Sequence, residues 1–84
     1  MNMIPLDQLY EVSEFALVAS LVTCGFSVEH TDRSDPRRVL FGFKRSKQVD
    51  EIVASYWRGT LNVPAAAFYQ NTKLLKARLR NEHE

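Results

Sequence analysis

The chain has 84 residues, 45% of them hydrophobic and 25% charged, with one cysteine and a formal net charge of +1. That composition describes a single folded domain near the lower size limit for folding without disulfides or metal, and it excludes a disordered chain or a disulfide scaffold. No run approaches the ~18–20 apolar residues of a membrane span, and the leading MNMIPLDQLYE has neither the basic start nor the apolar core of a signal peptide, so a soluble, cytoplasmic protein is expected.

In chain order, residues 1–12 are expected to be a loosely held leading segment, with Ile4, Leu6, Leu9 and Tyr10 packing on the domain edge. Ser13 suits the N-cap of a helix starting at Glu14, whose charge favours the positive helix end. The run Phe15, Ala16, Leu17, Val18, Ala19, Leu21, Val22 is apolar nearly all round, so that helix needs cover on most sides, from the domain or from a second copy. Gly25 stops it. Residues 26–31 alternate as a strand with Phe26, Val28 and His30 on one face. Asp32, Arg33, Ser34, Asp35, Pro36 and Arg37 are turn chemistry, after which residues 38–44 pair back as an antiparallel hairpin with Val39, Phe41 and Phe43 facing inward.

A second helix follows, capped by Ser46 and ended by Gly59, with Val49, Ile52, Val53 and Tyr56 at the spacing of one buried stripe. Leu61 and Val63 in the connector are expected to point inward, and Pro64 fits the first position of a third helix running to about Arg80. In it Phe68, Thr72, Leu75 and Leu79 form the inward stripe. The expected fold is therefore α+β, a two-stranded antiparallel hairpin packed against three helices in the order αββαα. It occupies residues 13–80 as one domain, with residues 81–84 as a polar tail. So small a sheet has two open edges, and pairing across a two-fold axis would protect them, so a homodimer is expected.

The charge is unevenly spread. Residues 1–35 hold Asp7, Glu11, Glu14, Glu29, Asp32 and Asp35 against Arg33 alone, a balance of −5. Residues 36–80 carry +8, and Glu82 and Glu84 complete the sum. Two readings stay open: an anionic partner for the basic half, or attraction between the halves.

Several stretches together resemble a known family. They are the run from Glu14 and Phe15 to Gly25 and Phe26, then Arg38 to Phe43 (RVLFGF), then Tyr56, Trp57, Arg58 and Gly59 (YWRG), and finally Val63, Phe68 and the KLLKARL segment at 73–79. Across roughly residues 10–80 the chain resembles a small prokaryotic and phage family known only as a domain of unknown function. The resemblance implies the element order above and a prokaryotic or phage origin, and attaches no reaction.

The chemistry of a catalytic or metal site is not assembled by the sequence. Cys24, His30 and His83 share no metal-ligand spacing. Cys24 reads as a small buried hydrophobe beside Gly25, and Asp50 and Glu51, adjacent near a helix start, do not face each other. The three glycines are isolated, so there is no phosphate loop. A non-enzyme needing no cofactor and no metal is expected. What remains is binding surface. Tyr69, Lys73, Lys76 and Arg80 fall on one helical stripe where an aromatic could stack a base and cations could follow phosphates; the plainer reading is a solvated face. Arg37, Arg38, Lys44, Arg45 and Lys47 form a second basic group spread over a strand length of ~20 Å, hence two patches unless the fold joins them. Trp57, beside Tyr56, reads first as half-buried core and second as a protein-contact anchor. The expected function is an accessory protein binding an anionic partner, nucleic acid foremost, through the basic half; the alternative is a protein-interaction module, such as a phage-encoded inhibitor or adaptor, acting through Tyr56, Trp57 and an apolar rim.

Overall fold

The computed structural model describes residues 8–81. The element order is β1 (Leu9–Val12), α1 (Phe15–Thr23), β2 (His30–Asp32), β3 (Leu40–Lys44), α2 (Lys47–Arg58) and α3 (Ala65–Asn81). The class is α+β with three helices, as expected, but the sheet has three strands and the order is βαββαα. Its strands lie β1-β3-β2, with both neighbours antiparallel to β3. Residues 9–12, expected in a loose leading segment, are the missing strand: Tyr10 sits opposite Phe43 and Val12 opposite Phe41. The Arg45 N–H donates to the Gln8 carbonyl at 2.9 Å and carries this ladder one step further. The expectations for Ile4 and Leu6 and for residues 82–84, His83 included, lie outside the described residues.

Phe41 and Phe43 are buried on the helix side of β3, as the alternation requires, and Val39 packs partly buried against the same cluster. Val12 joins them from β1, Val49 from α2 and Leu75 from α3. Each large apolar side chain so covered contributes about 1.5–3 kcal/mol. In α1 five successive residues, Leu17 to Leu21, are buried. The domain itself supplies the cover this helix needs, because α1 packs on both α3 and α2 while its residues share the core with β1 and β3.

The opposite face of the sheet is closed by a different device. Leu9 is buried there, apart from the main cluster. A Cβ at Gly42 would stand 3.3 Å from the His30 Cβ and 3.4 Å from the Leu9 Cδ1. Glycine in the central strand thus lets the two edge strands close over it.

Local signals explain most of the boundaries. The Ser46 hydroxyl accepts from the Val49 N–H at 3.1 Å, and Gly59 at φ 75° takes the left-handed turn that ends α2. Leu61 and Val63 are half-buried with Asn62 exposed between them. Three expectations are corrected. Ser13 does not cap α1; Glu14 holds the N-cap position without a side-chain bond, and the Ser13 hydroxyl instead accepts from Arg38 Nε at 3.3 Å. Pro64 precedes α3 by one residue, its carbonyl accepting the first helical bond from the Phe68 N–H. Residues 26–29 are not strand: β2 begins at His30, which is exposed, although the Glu29 N–H already donates to the Gly42 carbonyl of β3 at 2.7 Å, while Phe26 and Val28 are part-buried against the core.

Candidate nucleic-acid interface

The N-terminal end of α1 is where the fold gathers side chains that lie far apart in sequence. Tyr56, near the end of α2, donates its hydroxyl to Glu14 Oε2 at 2.9 Å across a separation of 42 residues. The ammonium of Lys76, midway along α3, stands 5.9 Å from the centre of the Phe15 ring. Arg38, just before β3, reaches Ser13 as described above. Burial first, then the bond to Glu14, raises the Tyr56 hydroxyl above its ordinary value and keeps it a donor.

The α3 stripe continues from this junction. Tyr69, Lys73, Lys76 and Arg80 are all exposed, and helical geometry puts ~16 Å between the first and the last. The Tyr69 ring is 63% exposed, with the Lys73 ammonium 5.3 Å from its centre. Among the described residues no carboxylate pairs with Lys73, Lys76 or Arg80.

Trp57 is 63% exposed. It lies edge-on to Tyr56, with ring centres 5.0 Å apart at 87°. The reading of Trp57 as half-buried core is thereby corrected, because one residue beyond Tyr56 is a 100° turn of the helix, enough to carry it past the rim. Tyr56 is the half-buried one, tied down by Glu14.

The remaining cations are dispersed. Arg37 lies on the β2–β3 connection with its side chain 91% exposed, 3.6 Å from Asp35 Oδ1. Lys44, Arg45 and Lys47 cluster at the far end of β3, where the first two border a cleft of about 290 Å³ with Phe26, Ser27 and Glu29. The second basic group is thus two patches, and Arg38 alone of its five joins the α1 junction. Behind α3, away from the stripe, an apolar groove of about 460 Å³ runs between Val22, Phe26, Val28, Leu74 and Leu75. It is bordered by Asn71, whose amide donates to the Thr23 hydroxyl at 2.9 Å and locks α3 to the end of α1.

Cys24 is exposed at the C-cap of α1, not buried as expected, and desolvation raises its thiol, which lowers the thiolate fraction. Among the described residues no three His, Cys, Asp or Glu side chains converge, and no helix is long and apolar enough to cross a membrane.

Two features of this surface have no local sequence signal: the Tyr56–Glu14 bond and the seating of Lys76 over Phe15. The sequence of a family described as Domain of unknown function (DUF5659) matches residues 7–81. No curated protein and no solved structure matches the chain.

Proposed function

We propose that this chain, which belongs to that family of unknown function (DUF5659), is a cytoplasmic, non-enzymatic accessory protein that binds nucleic acid along α3. Lys73, Lys76 and Arg80 contact phosphates, Arg38 adds a fourth cation from the β3 side, and Tyr69 offers a ring for stacking. The observation that carries the reading is the row of three exposed cations, with no carboxylate partner among the described residues, in line with an exposed tyrosine. Bases on a solvated face of an ordinary domain are usually interspersed with acids, and α3 has none between Ala65 and Asn81. Contacts of this kind give affinity with little sequence readout.

The test is fluorescence anisotropy of short labelled oligonucleotides with the wild type and with a Lys73→Gln, Lys76→Gln, Arg80→Gln variant. All three side chains are exposed, so the variant should keep its circular dichroism and lose binding. Equal binding by the variant sinks the reading.

A second reading is favoured by one observation, the exposure of Trp57 at the end of α2. A large ring on the surface suits a protein-contact anchor, and such an interface would depend little on salt. Among the described residues the outer edges of β1 and β2 are each paired on one side only, which leaves room for a homodimer through strand addition. Sedimentation over a range of concentrations tests it.

A further inference from the structure

We infer that the nucleic acid is single-stranded, and that it runs from Tyr69 along α3 and across the α1 junction to stack a second base on Trp57. The inference rests on the function proposed above and adds the strand class and a second binding residue. The two most exposed aromatic rings of the described chain, Trp57 and Tyr69, are 63% exposed each. They are linked by continuous contacts: Trp57 edge-on to Tyr56, Tyr56 bonded to Glu14, Glu14 next to Phe15, and Phe15 under Lys76. From Lys76 the stripe leads back to Lys73 and Tyr69.

A duplex has no use for the open faces of these rings, because its base faces are stacked against one another. A single strand presents unstacked bases, and aromatic platforms between cations are how such strands are held without sequence preference. The cation over Tyr69 fits the same role. A base arriving at that ring displaces the Lys73 ammonium sideways, toward the phosphate the base carries, so the platform and the charge are used together. Glu14 sets the orientation at the junction. Its carboxylate repels phosphate, so the strand crosses there with its bases toward Tyr56 and Trp57 and its backbone toward Arg38 and Lys76.

Trp57 is the single tryptophan of the chain, so tryptophan emission, excited where the three tyrosines do not absorb, reports this position alone. The experiment titrates the full chain with an oligothymidylate of about a dozen nucleotides and with a hairpin duplex of matched charge, following both tryptophan emission and anisotropy of a terminal label. Emission is expected to be quenched by the single strand. Trp57→Ala is expected to weaken single-strand binding about tenfold, the range of one stacked base. Trp57→Phe should weaken it less, and the duplex should bind more weakly to the wild type. Because Trp57 is mostly exposed, both variants should fold, and circular dichroism checks this. Duplex binding as tight as single-strand binding overturns the inference. So does unquenched emission with an unaffected Trp57→Ala variant. In either case, binding that is still lost in the α3 charge variant leaves the function proposed above standing. Absence of binding by both oligonucleotides at low salt removes that function and this inference with it.

Discussion

Thr31→Val should stabilise the domain. Thr31 lies in β2 opposite Phe41, on the helix side of the sheet, and its hydroxyl oxygen is buried without a hydrogen-bond partner among the described residues. An unpaired buried hydroxyl costs about 1–3 kcal/mol in desolvation. Valine keeps the branched shape and the strand preference while replacing the oxygen with a methyl group that suits the Phe41 side of the sheet. No bond is lost in the exchange, so the expected gain is about 1 kcal/mol. For a domain of this size that raises Tm by about 4–8 °C in a thermal melt followed by circular dichroism. Thr31→Ser supplies the control: it keeps the hydroxyl and removes the methyl, and should lower Tm. A Thr31→Val variant with unchanged or lower Tm would refute the reasoning, since it would mean that the hydroxyl is satisfied in solution.

Other perturbations test other parts of the account. Ser46→Ala removes the side-chain acceptor of the Val49 N–H and should cost about 0.5–2 kcal/mol in chemical denaturation, while Ser46→Asp should cost far less. Gly42→Val places a branched side chain where even a Cβ stands within 3.4 Å of Leu9 and His30, and should lower the denaturation midpoint more than any substitution on the α3 stripe. The pH profile has two signed limbs. Burial raises the hydroxyls of Tyr10 and Tyr56 above the ordinary 10.0, so the stability they contribute is present below that pH and lost as pH rises through their shifted values; Tyr56→Phe should shrink this alkaline loss. The hydrogen bonds from Ser34 lower the Asp32 carboxyl, so its contribution is present above the ordinary 3.8 and lost as pH falls through its folded value; Asp32→Asn should shrink the acid loss in the same melts.

What the sequence disclosed was whatever local physics decides. The second helix is legible because Ser46, the Val49/Ile52/Val53/Tyr56 spacing and Gly59 each act within a few residues. The α3 stripe is legible for the same reason: helical period alone puts Tyr69, Lys73, Lys76 and Arg80 in line. β1 was not legible, because four residues, LYEV, carry too short an alternation to stand out, and they become strand only when β3 offers Phe41 and Phe43, 29 and 33 positions from their partners Val12 and Tyr10. The same non-locality misled in the opposite direction at residues 26–29, where the alternation is present but the β2–β3 register starts at His30, with one bond from Glu29 ahead of it. The candidate surface divides along the same line. Its cations could be found from spacing, whereas its assembly around Glu14 and Phe15 depends on α2 and α3 both docking at the start of α1. Trp57 fell between the two, since neighbouring positions on a helix differ by 100° and its exposure turns on where the rim of the core ends.

The proposed function is the binding of a polyanion by Lys73, Lys76 and Arg80 of α3, which pair with no carboxylate among the described residues. It is tested most directly by measuring the affinity of the wild-type chain for a single-stranded oligonucleotide across a series of salt concentrations. Three or four phosphate contacts, from Lys73, Lys76, Arg80 and Arg38, predict a log–log slope of about −2 to −3. A flat dependence, or no binding at the lowest salt, would contradict the account.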